Sequence, residues 1–214
     1  MSPGPTIISE CYKCHGLFKQ WTLASGNTFT ARFWPDGKMD APMMPEIPPL
    51  IHCPCCGEHI WRYEAEEIDQ MEAYNPNEEV KNKYLNVEFC KDPTIDTFML
   101  ALKDENLSEG REGYIRTKLM HFFNDVNRDM EMPISEPHDM QIENYKRLLQ
   151  IANKDDANDT MLRAEIYREI GEFDKCLELL KKVEDEDFLA NVKALRDLCA
   201  NKDSRVMEIL TRDD

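Results

Sequence analysis

The spacing of apolar side chains changes character near Tyr63. Before it, Phe29, Ala31 and Phe33 alternate with Thr28, Thr30 and Arg32, the period-two pattern of a half-buried strand. Trp34-Pro35-Asp36-Gly37 follows as a turn, since Pro fixes its own φ and Gly accepts a positive one, and the chain from Lys38 returns as the partner strand. Pro42, Pro45, Pro48 and Pro49 then interrupt any ladder, which predicts an extended loop.

After Tyr63 the period becomes helical. One helix is predicted from about Asn77 through Val80, Tyr84 and Val87. A second, opened by Asp92-Pro93, buries Ile95, Phe98, Met99 and Leu102. The clearest stripe spans about 109–130: Ile115, Leu119, Phe122, Phe123, Val126 and Met130. Met132-Pro133 ends it. Ser135-Glu136-Pro137 opens the next, which buries Ile142, Tyr145, Leu148 and Leu149. Further helices are predicted at about 156–170, 173–183 and 187–200, with a short one near 204–211. The acids Glu64, Glu66, Glu67, Asp69 and Glu72 read as the solvated face of a helix.

Charge sharpens this division. The net charge of −16 is uneven: residues 1–63 carry five basic and five acidic side chains, so residues 64–214 hold the whole excess. Trp21, Trp34 and Trp61 and most of the prolines also precede residue 64. We therefore expect two domains, 1–63 and an acidic all-α domain at 64–214. No stretch approaches the ~20 apolar residues of a membrane helix, and no basic-then-apolar leader is present at the start, so a cytoplasmic protein is expected.

In a reducing compartment, close-set cysteine pairs point to metal more than to disulfides. Cys11-Tyr12-Lys13-Cys14 and Cys53-Pro54-Cys55-Cys56 are two such pairs, separated by the predicted hairpin. Two-residue spacing lets both thiolates of a pair face one tetrahedral ion. Gly16 and Gly57 lie just beyond the pairs, where the backbone must curl so that amide N–H groups point at sulfur. Cys55 could exchange with Cys56 as a ligand, but Gly57 favours Cys56. His15, His52 and His59 flank the site, although four thiolates already fill a tetrahedral shell. Cys90, Cys176 and Cys199 fit small buried hydrophobes.

The segment 9–62 resembles the zinc ribbon family. Cys53-Pro54-Cys55-Cys56-Gly57 matches its knuckle well, and the first knuckle departs from it at Tyr12 and His15. The resemblance implies a structural Zn2+ on Cys11, Cys14, Cys53 and Cys56. Residues 157–183 resemble one tetratricopeptide repeat, through Ala164, Tyr167, Gly171, Phe173, Cys176, Leu180 and Val183. Thr160 and Arg163 depart from it, and an array normally needs three repeats. It would place a repeat-like hairpin at 157–190 with a surface suited to protein partners. The fold class expected is a small β-rich zinc ribbon plus a larger all-α domain of stacked helical hairpins.

Three functions compete. A non-catalytic zinc protein acting as a protein-interaction or scaffold module fits best, with a partner that is basic. Nucleic-acid association comes second, by family resemblance, with Lys13, Lys19, Arg32, Lys38 and Arg62 as cations and Trp21 and Trp34 as exposed aromatics. Balanced charge and an acidic body oppose it. Thiol redox chemistry through Cys53, Cys55 and Cys56 is third, since neither pair opens a helix after a strand. No phosphate loop, Ser/His/Asp order or His-Glu-x-x-His helix occurs.

Overall fold

A computed structural model describes residues 1–130, 138–153 and 155–209. It contains several small sheets and seven α-helices among those residues. The chain divides into two compact units, residues 1–31 with 41–101 and residues 32–40 with 102–214.

The first unit is built on short antiparallel strands. β1 (Ser2–Pro3) pairs with β4 (Leu23–Ser25), and β2 (Thr6–Glu10) is flanked by β3 (Leu17–Gln20) and β9 (Glu66–Met71). β7 (Leu50–His52) and β8 (His59–Trp61) form a separate hairpin. Phe18, Ile51 and Ile60 pack with Cys11 and Cys53 in one buried cluster. Two short helices complete the unit, α1 (Glu78–Lys83), capped by Asn77, and α2 (Ile95–Ala101).

Several expectations are corrected here. Residues 66–71 are a strand rather than a helix face. Acids on both faces mimic a polar helix, but the ladder with β2 fixes the segment, with a bulge that leaves Ile68 outside the regular pairing. Thr28–Ala31 form a tight turn instead of strand: the Asn27 side chain accepts the Phe29 N–H, Thr30 has φ of 64°, and Phe29 is 78% exposed. α2 is capped by Thr94, not Asp92. The Thr94 and Thr97 hydroxyls reciprocally bond each other's N–H, while Lys91 stays extended against His52.

In the second unit, β5 (Arg32–Phe33) and β6 (Met39–Asp40) form the expected hairpin about Gly37, at φ 80°. The same unit contains α3 (Glu109–Asp125), α4 (Asp139–Ile151), α5 (Ala157–Glu169), α6 (Phe173–Leu180) and α7 (Leu189–Ala200). α3 ends five residues short of the predicted stripe, leaving Val126 and Met130 exposed. The proposed signals at Met132-Pro133 and Ser135-Glu136-Pro137 lie outside the described residues. α4 starts after His138, whose ring accepts the Met140 N–H. The predicted helix at 204–211 is not helical over 204–209. The Ile209 N–H instead donates to the Phe33 carbonyl, in a bridge to β5.

α5 and α6 form a hairpin about Gly171, at φ 79°, with Ala164, Cys176, Leu180 and Val192 in its core. Between α3, α4, α5 and the 32–40 hairpin lies a buried polar layer. Asp36 accepts from Arg128 and Asn124, and His121 bonds the Asp36 carbonyl. Asn124 also meets Glu169 and Tyr145, and Gln141 donates to both Asn124 and Tyr145. Trp34 lies between the guanidinium groups of Arg32 and Arg128, 4.7 and 4.8 Å from its ring centre, and its indole N–H donates to Asp129. Expected to be an exposed aromatic, Trp34 is only 4% exposed.

Candidate metal centre

The two cysteine pairs sit in loops of one design. The first fills the connection from β2 to β3, the second that from β7 to β8. In each, the first cysteine's N–H donates to the carbonyl five residues on: Cys11 to Gly16 at 3.0 Å and Cys53 to Glu58 at 2.9 Å. Its carbonyl accepts the N–H four residues on, from His15 at 2.8 Å and Gly57 at 2.9 Å. The residue after the second cysteine is left-handed in both, His15 at φ 58° and Gly57 at φ 74°.

The sequence pointed to Gly16 as the curling residue of the first knuckle, whereas His15 takes that conformation. Histidine tolerates it better than most side chains, and the Glu10 carboxylate holds its ring at 2.7 Å. Gly16 is required for another reason. A Cβ there would meet the Cys55 Sγ at 2.6 Å and the Cys55 Cβ at 2.7 Å. Cys55 therefore packs across the site onto the opposite knuckle, with its thiol 3.4 Å from the Leu17 carbonyl. Nothing in the cysteine spacing reveals that contact.

The structure brings together all four predicted ligands. The sulfurs of Cys11, Cys14, Cys53 and Cys56 lie within 4.8 Å of one another, and those of Cys14 and Cys53 are 3.8 Å apart. Four sulfurs at about 2.3 Å from a tetrahedral ion stand about 3.8 Å from each other, so the quartet can hold a metal ion. No histidine or carboxylate joins it among the described residues. His52 instead engages the Gly57 carbonyl and the Thr97 hydroxyl.

The thiols of the quartet are pulled in opposite directions. Burial pushes the Cys53 thiol well up, against the backbone N–H groups of Cys56 and Cys55 that reach it. Partial desolvation raises the exposed Cys56, but the Glu58 N–H and the neighbouring thiols outweigh it and lower the thiol. A cation at the centre supplies the charge that a cluster of thiolates needs. Cys11 and Cys53 are sealed inside, whereas Cys14 and Cys56 face outward.

The other cysteines behave as packing residues. Cys176 and Cys199 lie in the helical core, and Cys90 is half-buried against the cluster of Phe18, Ile51 and Ile60. Burial raises all three thiols. Three of the five cations expected on the first domain are paired with carboxylates. Arg32 pairs with Asp129 and Glu208, Lys38 with Asp125, and Lys13 with Glu58. Among the described residues no helix is long and apolar enough to cross a membrane. The chain matches no protein-family model, no curated protein and no solved structure.

Proposed function

We propose that Cys11, Cys14, Cys53 and Cys56 hold one structural Zn2+ and that the protein works by binding another protein, without catalysis. The observation that carries the metal reading is the closed quartet of sulfurs, which leaves no position for water or substrate. Catalytic zinc keeps three protein ligands and an open site. The ion's work is to tie the β2–β3 and β7–β8 loops together, where the apolar core beneath them is small.

The partner reading rests on charge and on the helical hairpin. A net charge of −16 favours a partner with a basic face, and the α5–α6 hairpin resembles a tetratricopeptide-like unit whose open side would receive it. Nucleic acid fits less well, because Arg32, Lys38 and Lys13 already pair with carboxylates and have fewer counterions to release.

Cobalt substitution tests the closed site. The Co2+-loaded protein should show the spectrum of a tetrahedral four-thiolate ion, and added imidazole or free thiol should leave it unchanged. A spectrum that shifts on titration with such ligands would reveal an open position and return catalysis to consideration.

A further inference from the structure

Arg62 is a cation inside the first unit, 6% exposed, and it opens the short 3-10 turn Arg62–Glu64. Its Nε donates to the Gln20 side-chain oxygen at 2.7 Å, and its Nη2 donates to the Trp21 carbonyl at 3.1 Å. Neither acceptor is charged, and among the described residues no carboxylate forms an ion pair with it. Removing a charge from water without a counter-charge is costly, so such a group calls for an anion.

The hydrogen bonds around it have a fixed direction. Arginine can only donate, so the oxygen of the Gln20 amide must face Arg62 and its nitrogen must face away. That nitrogen donates to the Ser9 Oγ at 2.7 Å. Ser9 is therefore an acceptor in this bond, and its hydroxyl proton is left to donate elsewhere. Ser9 and Gln20 are themselves 1% and 5% exposed. The chain Arg62–Gln20–Ser9 thus ends in unspent donors at both ends: the Ser9 O–H, the Nη1 protons and the second Nη2 proton.

These groups line one cleft of about 320 Å³, shared with Ile7, Ile47 and Ala65. Its wall combines fixed donors with apolar surface. We propose that this cleft binds a small oxyanion, a carboxylate or a phosphate free in solution, anchored on Arg62 and Ser9. The planar guanidinium is suited to two parallel bonds with such a group. Glu67 also lines the cleft and is not bonded to Arg62. Its charge weakens the site without occupying it.

The test is an NMR titration of the zinc-loaded full-length chain at constant ionic strength, with chloride as the balancing salt. Inorganic phosphate and butyrate are added separately, and the Arg62 Nε–H and the Ser9 and Gln20 amide signals are followed. At least one oxyanion should give saturable shifts confined to these residues, and which one does so separates phosphate from carboxylate. Ser9→Ala, which leaves Arg62 in place but takes the acceptor from the Gln20 amide, should weaken binding about tenfold. Glu67→Gln should tighten it several-fold by removing a like charge, which a purely structural Arg62 would not produce. Arg62→Gln should abolish it. Absence of saturable shifts with both anions, or binding untouched by Ser9→Ala and Glu67→Gln, would overturn the assignment.

Discussion

Cys55 lies against Gly16 so closely that a Cβ on residue 16 would stand 2.6 Å from the Cys55 Sγ and 2.7 Å from its Cβ. This contact joins the two knuckles from outside the ligand set. It also gives Cys55 a packing contact on the opposite knuckle.

Gly16→Ala should therefore loosen the metal site, at a cost of about 1–3 kcal/mol for the overpacking. The mutant should lose metal to a chelator faster than the parent. Cys55→Ala should not relieve it, because the Cβ contact remains, whereas Cys55→Gly should relieve it in part. Equal chelator rates for Gly16→Ala and the parent would refute the contact's role.

The hairpin 32–40 should matter more to the helices than to the metal. The Asp36 side chain is fully buried, and Arg128, 7% exposed, donates to it at 2.6 Å. Asp36→Ala leaves a buried guanidinium without its partner, a loss of about 3–5 kcal/mol. Melting followed by helical circular dichroism should shift markedly downward while metal content stays constant.

Two carboxylates should give stability opposite dependences on pH. Arg147, then burial and Arg116, set the Glu112 carboxyl, and the two arginines prevail, bringing it to about 2. Its contribution is complete above the unfolded value near 4.5 and fades as pH falls towards 2. Glu169 behaves in the other sense. Burial and the nearby Glu165 and Asp36 charges raise its carboxyl. The Tyr145 hydroxyl and the Asn124 amide both donate to the Glu169 carboxyl, and the Tyr145 bond works against that rise without cancelling it. Stability linked to Glu169 is thus full below about pH 4.5 and declines as pH rises through its folded pKa. Glu169→Gln should remove that decline, and an unchanged stability–pH profile would contradict the protonated state.

The metal quartet was legible in the sequence because ligand spacing is a local property. Cys11, Cys14, Cys53 and Cys56 each stand where the two-residue gaps place them, and the Trp34–Gly37 turn was legible for the same reason. β9 was not, since Glu66, Glu67 and Asp69 show no clean alternation and the strand exists only through its ladder with β2. Trp34 was misjudged because its burial comes from Arg128 and Asp129, far along the chain. The Arg62–Gln20–Ser9 chain has no sequence signature at all. Its residues meet only when β2, β3 and the turn at residue 62 come together.

Charge should show in association kinetics. If a basic protein partner is bound, its association should slow steeply as salt rises. In the same buffers, anisotropy titrations with DNA or RNA should show no tight, salt-dependent binding. Tight nucleic-acid binding would favour the second reading of the site.

Metal content of the purified protein, measured by native mass spectrometry across single cysteine variants, decides whether the quartet holds an ion. The parent should carry one zinc per chain. Replacing Cys11, Cys14, Cys53 or Cys56 by Ser should release it, because binding and local folding are coupled, and Cys55→Ser should retain it. A parent chain without metal, or loss of metal on Cys55→Ser alone, would rule out the four-cysteine site.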